Sequence, residues 1–196
     1  MGWGRLWVGV GLLVLAGCDQ GGGLVTGDWL EAPGCDGPGT AARFEPFRMA
    51  LDTMGAEREG DVLVLRFAPD AAVPFDTDQL VVILEGYAAA RAEIAASGST
   101  SWALGGAPAL VPGSPQAQAG LALIGRCAYT PTPLSASGTA VFSRLGDRRG
   151  QRVVGELRFE VVDERDGTTR GTGFVAEFDF DVEIGQPYRS YSPRDL

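Results

Sequence analysis

The sequence predicts an all-β domain, an antiparallel β-sandwich with one short helix, and three observations point there. Two long alternating segments, Arg152 to Val162 and Arg170 to Ile184, flank Asp166-Gly167, a strong signal for a two-residue hairpin. Short aliphatic runs, Val62 to Phe67 and Leu80 to Leu84, are bounded by Gly and Pro. Only Tyr87 to Ala96 has the alanine-rich composition of a helix, and it is closed by Ser97-Gly98. About eight short strands at turn-rich spacing fit a sandwich, with a jelly-roll-like arrangement as one form of it.

Met1 to Gly17 hold one charge, Arg5, before an apolar run of eleven residues from Leu6 to Ala16. A helix needs about 20 residues to cross a hydrocarbon core of ~30 Å, so this run describes an export signal and not a membrane span. Its end, Leu15-Ala16-Gly17-Cys18, resembles the lipobox of bacterial lipoproteins. That resemblance implies cleavage between Gly17 and Cys18, a diacylglyceryl group on the Cys18 thiol, and often a further acyl chain on the new amine. Two or more chains anchor a protein stably, at about 0.8 kcal/mol per buried CH₂. The expected location is a membrane, lipid-anchored and facing the periplasm or exterior. Asp19 matches the inner-membrane retention signal of enteric bacteria, a rule other lineages do not follow, so the inner and outer membranes both stay open.

Residues 18–28, with Gly21-Gly22-Gly23, read as a lipidated cysteine and flexible tether. The domain is then expected over 29–185. Trp29 to Thr40 is rich in Pro and Gly and reads as loop. Phe44 to Met54 contains Pro46, which suits an edge strand. Val62 to Phe67 is a strand stopped by Pro69, and Leu80 to Leu84 is aliphatic throughout, hence buried on both faces. Ser99 to Gln118 reads as an irregular loop, and Leu121 to Tyr129 as a strand broken by Pro131 and Pro133. Residues 186–196 read as a tail.

Placing Asp166 and Gly167 at the hairpin tip makes opposed residue numbers sum to 333. One face then pairs Phe159 with Phe174, Gly155 with Phe178 and Val153 with Phe180. The other pairs Arg158 with Val175, Glu156 with Glu177, Val154 with Asp179 and Arg152 with Asp181. This register is expected to hold near the tip, with any bulge further out. The run Gly138-Thr139-Ala140-Val141-Phe142 to Phe178-Asp179-Phe180, preceded by Cys127, resembles uncharacterised β-sandwich lipoproteins of GC-rich Gram-negative bacteria. The resemblance implies the fold and no mechanism.

Composition excludes more than it assigns. All sixteen basic residues are Arg; Lys, His and Asn are missing. Without His there is no Ser-His or Cys-His nucleophile pair and no imidazole ligand or proton shuttle. Without Lys there is no Schiff base and no P-loop lysine. Removing residues 1–17 takes away one Arg and no acid, moving the formal charge from −9 to −10; an acidic domain repels phosphate backbones and anionic lipid, so nucleic acid is not an expected partner. Beyond Cys18, Cys35 and Cys127 form an even pair in an oxidising compartment and are expected to bond. That link would constrain the unfolded chain by roughly 4–5 kcal/mol in the entropy model; two buried free thiols are the alternative.

Candidate sites each have a structural counterpart. Glu177, Asp179, Asp181 and Glu183 alternate on one strand face about 7 Å apart, as a cation or acid/base site or as a solvated outer face. Asp76 and Asp78, in Phe75-Asp76-Thr77-Asp78, offer two carboxylates and a hydroxyl for calcium, without the Gly and Glu of an EF-hand loop. Trp29 and Trp102 suit an aromatic platform or core packing. No catalytic residues and no cofactor are expected, calcium at Asp76 and Asp78 being the exception. The expected function is a membrane-anchored, non-enzymatic binding or structural domain whose partners are the bilayer and an envelope protein. A calcium- or carbohydrate-binding module and a carboxylate-only hydrolase are the alternatives.

Overall fold

The computed structural model describes residues 21–32, 34, 37–69, 78–105, 116–123, 134–163 and 167–182. Among them are the strands β1 (Gly21–Glu31), β2 (Arg43–Leu51), β3 (Thr53–Glu59), β4 (Val62–Ala68) and β5 (Gln79–Glu85). The helix α1 (Tyr87–Ser97) follows, then β6 (Thr100–Leu104), β7 (Gln116–Ala122), β8 (Leu134–Arg144), β9 (Arg152–Asp163) and β10 (Thr168–Asp181). The all-β class and the short helix are as the sequence predicts. The arrangement differs: all ten strands join one continuous sheet in the order β2-β1-β10-β9-β8-β6-β7-β5-β4-β3, with β7 also paired to β8. The sheet is mixed, because β6 and β7 run parallel.

That sheet is nearly barrel-shaped. Its two edge strands, β2 and β3, are consecutive in the chain with only Asp52 between them. The Asp52 N–H donates to the Ala68 carbonyl at 3.0 Å, so the bend is tied to β4. Inside the curl, the ring of Phe67 on β4 lies 4.6 Å from Phe178 and 5.8 Å from Phe180, both on β10. Strands distant in the hydrogen-bonding order thus share one hydrophobic core, which runs from Val25 to Val182. A hydrophobic sheet face must be covered by something, and curling lets it cover itself. β4 and β5 bury their other face too, through Val64, Val81 and Ile83, as the aliphatic run Leu80 to Leu84 predicts for β5.

The N-terminal readings need correction. Gly21–Asp28, expected within a tether, is strand, held between β10 and β2. The glycines are there because the neighbours come close. A Cβ on Gly21 would sit 2.0 Å from the Asp179 carbonyl oxygen, and Gly21 has φ +93°; one on Gly23 would sit 2.6 Å from the Glu177 oxygen. Trp29, expected in a loop, continues β1 with its side chain in the core. The folded unit therefore begins by Gly21 and not at residue 29. β2, with Pro46, is an edge strand as expected.

Two further differences lie in the middle and at the hairpin. Ser99 to Gln118, expected as loop, supplies β6 and the start of β7, and β7 ends at Ala122; the rest of the strand expected from Leu121 to Tyr129 falls, from residue 124 on, outside the described residues. Ala, Ser and Gly have little strand preference of their own, and pairing with β5 and β8 decides these segments. The β9–β10 register sums to 333 from Phe174↔Phe159 to Asp181↔Arg152, with the two faces composed as predicted. Near the tip it shifts: Thr168 pairs with Asp163, and the Gly167 N–H reaches the Asp163 carbonyl at 2.8 Å. The connection is thus four residues long, 164–167, and not two. Two irregularities in β10 absorb the extra residues, aided by Gly173 at φ +62°. The predicted register fails at the tip and holds in the body, the reverse of the expectation.

Cys18, Cys35, Cys127, Asp76, Glu183, residues 1–17 and the tail 186–196 lie outside the described residues.

Candidate binding site

The outward face of β10 is where the sequence places its acidic ladder, and the structure places Glu177, Asp179 and Asp181 there. The ladder is divided by arginines. Arg152 on β9 donates from Nε to Asp179 at 2.6 Å and from Nη1 to Asp181 at 3.3 Å. The Asp179 hydrogen bond holds the Arg152 guanidinium above its ordinary pKa. Arg158 pairs with Glu156 on the same strand. Glu156 stands directly opposite Glu177, so the arginine on Glu156 relieves a like-charge contact that would otherwise destabilise the pair. These carboxylates spread along a strand and do not converge. Among the described residues no group of three or more His, Cys, Asp or Glu side chains is placed to hold a metal ion.

Beside the ladder the same face forms a shallow groove of about 520 Å³. Gly22, Gly23 and Gly155 make its floor, and Leu24, Val141 and Val154 give it apolar sides. Val141, 39% exposed, is with Phe44 one of the large hydrophobic residues exposed among the described residues. Glu156, Glu177 and Asp179 line the same groove. Sequence reading found the ladder from alternation but missed the groove, because its floor comes from glycines on two non-neighbouring strands.

A second constellation sits where α1 meets the β8–β9 connection. Gly86 precedes the helix and has no capping side chain, so Asp61 from the β3–β4 turn supplies one. Its Oδ1 accepts from the Ala88 N–H at 2.8 Å and its carbonyl from the Tyr87 N–H at 3.0 Å. Tyr87 is buried, and its hydroxyl donates to the Leu145 carbonyl at 3.3 Å. Arg58 stacks 4.8 Å over the Tyr87 ring and donates to Asp147 at 2.8 Å. Burial opposes the charge on Asp147, but the hydrogen bond from Arg58 leads the interactions that outweigh it and hold the carboxyl below its ordinary pKa. Burial, then the nearby Asp147 charge, push the Tyr87 phenol upward. The arrangement locks helix, turn and connection together, and its acid and base neutralise each other.

No family model, no curated protein and no solved structure matches the chain. The remaining sequence-derived candidates separate in the fold. Asp78 is buried at the start of β5, and its expected co-ligand Asp76 lies outside the described residues. Trp29 and Trp102 are 4% and 7% exposed and belong to the core, so they form no surface platform. Their indole N–H groups are buried without a hydrogen-bond partner.

Proposed function

We propose that this chain is a lipid-anchored protein of the bacterial envelope, held through acylated Cys18, whose β domain is a non-enzymatic binding module for another envelope protein. The observation carrying the binding part is the shallow groove over Gly22, Gly23 and Gly155, with Val141 exposed beside it. A broad apolar depression edged by carboxylates suits a protein surface presenting apolar and basic side chains better than a small substrate, which is usually enclosed. The lipobox supports the anchor. The curled sheet acts in this reading as a flattened barrel or sandwich, its two halves meeting through Phe67, Phe178 and Phe180. An even pair of cysteines, Cys35 and Cys127, supports a disulfide in an oxidising compartment.

Intact mass of the membrane-extracted protein tests the anchor. A mass for residues 18–196 plus lipid, less two hydrogens, is the expected result, and an unlipidated chain would sink the reading. Crosslinking in cells with a photoreactive residue at position 141 tests the groove. A discrete crosslinked protein that disappears with Gly22→Arg, on the outer face elsewhere in the groove, is expected. Equal labelling from position 141 and from a control at Glu45 would refute a specific partner.

A further inference from the structure

The lipid anchor proposed above, on which this inference rests, brings one end of the barrel to the bilayer. Two residues, Asp19 and Gln20, separate Cys18 from Gly21, three Cα steps and a covalent reach of about 10 Å. Gly21 is already in the sheet, paired with Phe180. Phe180 in turn pairs with Val153, so β9 begins two strand spacings, about 10 Å, from Gly21. The connection entering β9 folds onto the same end, its Gly150 N–H donating to the Val182 carbonyl at 3.1 Å and Gln151 accepting from the Val182 N–H at 2.7 Å.

That connection carries an unusual density of positive charge for an acidic chain. Arg144, Arg148, Arg149 and Arg152 fall within nine residues, although the whole chain carries −9. Arg144, Arg148 and Arg149 are exposed. Among the described residues, Asp147 is engaged by Arg58, and Asp179 and Asp181 by Arg152; Glu183, one residue beyond Val182, lies outside the described residues. Asp52, exposed on the other flank of β1, lies beyond β1 and β10 from this connection. Between the connection and α1 is a cleft of about 380 Å³, lined by Arg91, Arg144, Arg152 and Gln151 with Ile94 and Leu145 as apolar walls. Arg91 donates to the neutral Tyr87 hydroxyl at 3.4 Å, so that bond leaves its charge uncancelled.

We propose that this end of the barrel is a seat for the phosphate headgroups of anionic lipids. Arg144, Arg148 and Arg149 meet the bilayer surface, and Arg91 with Arg144 frames a cleft for one headgroup. Guanidinium groups match phosphate in bidentate geometry, and the apolar walls tolerate the glycerol and upper acyl carbons. The net negative charge does not defeat this, because fields are screened within ~8 Å at physiological salt and Asp147, Asp179 and Asp181 are each paired with an arginine. It orients the domain, turning its acidic remainder away from the membrane.

The test uses the mature chain, residues 18–196 with Cys18→Ser so that no lipid can be attached, and vesicles of phosphatidylcholine with or without phosphatidylglycerol. Binding only to the anionic vesicles, weakened by salt, is expected. The triple variant Arg144→Ala, Arg148→Ala, Arg149→Ala should keep the wild-type near-ultraviolet spectrum and lose about fivefold per arginine, roughly a hundredfold together. Equal binding by wild type and triple variant, or none to either vesicle, would overturn the proposal. So would saturable capture of inorganic phosphate that abolishes vesicle binding at constant ionic strength, which would assign the arginines to a soluble anion. The intact mass decides the anchor separately: an unlipidated native chain whose arginines still select anionic vesicles removes the tether and leaves the headgroup seat standing.

Discussion

Gly22 and Gly23 stand side by side in a run that composition alone would make a linker, and replacing each by Ala separates linker from strand. In the sheet, a Cβ on Gly23 would lie 2.6 Å from the Glu177 carbonyl oxygen, 2.9 Å from Phe178 Cβ and 3.0 Å from Leu51 Cδ1. Ordinary contacts of these types begin at about 3.3–3.5 Å, so two backbones joined by ladder hydrogen bonds would have to open by roughly half an ångström or more. Overpacking of this kind costs about 1–3 kcal/mol. The Cβ of Gly22 would meet only the Leu51 oxygen at 3.9 Å, an ordinary contact. Gly22→Ala is therefore expected to stay within about 0.5 kcal/mol of wild type. At about 2–4 °C per kcal/mol for a domain of this size, Gly23→Ala should lower Tm by roughly 2–12 °C. Thermal and urea unfolding of the mature protein, followed by near-ultraviolet circular dichroism, would measure both. Equal stability of the two variants would refute the packing of β1 against β10.

The remaining predictions concern the core and the Asp147 cluster. Phe178→Ala removes a buried ring that meets Phe67 and Phe142 and should cost about 3–5 kcal/mol in urea unfolding, whereas Val175→Ala on the outer face should cost less than about 1 kcal/mol. Similar losses at the two positions would mean the curl is not closed as described. Asp147 has a folded pKa below its ordinary value of about 3.9, so its ionised form supports the fold above that pH and the support fades as pH falls through the folded value. Asp147→Asn should thus be less stable at pH 7 by about 1–2 kcal/mol and show a flatter decline below about pH 4. A variant with an acid limb parallel to wild type would place the Asp147 charge outside the stability balance.

Local patterns were legible where each residue reports its own environment. The alternation of Phe174, Ala176, Phe178 and Phe180 with Val175, Glu177 and Asp179 gave both faces of β10, and Leu80 to Leu84 gave a strand buried on both sides. The α1 helix was readable to within a residue, since alanine content and Ser97-Gly98 are local signals. Segments whose state depends on a partner were not readable. Gly21 to Gly23 lack strand preference, and Gly21 and Gly23 are accommodated where the Asp179 and Glu177 backbones come close enough to exclude side chains.

The sequence by itself determined the all-β class, the helix, the composition of both hairpin faces and the absence of His, Lys and Asn from any chemistry. It also carries the lipobox on which the anchor rests. Only the tertiary structure decided that the strands form one curled sheet, because closure depends on Phe67 meeting Phe178 and Phe180 across positions more than 100 residues apart in the chain. It alone gathered Gly22, Gly23 and Gly155 into a groove floor, and Arg91, Arg144 and Arg152 around one cleft. Alternation and propensity act over a few residues, whereas strand order and the grouping of charge are set by which surfaces bury one another.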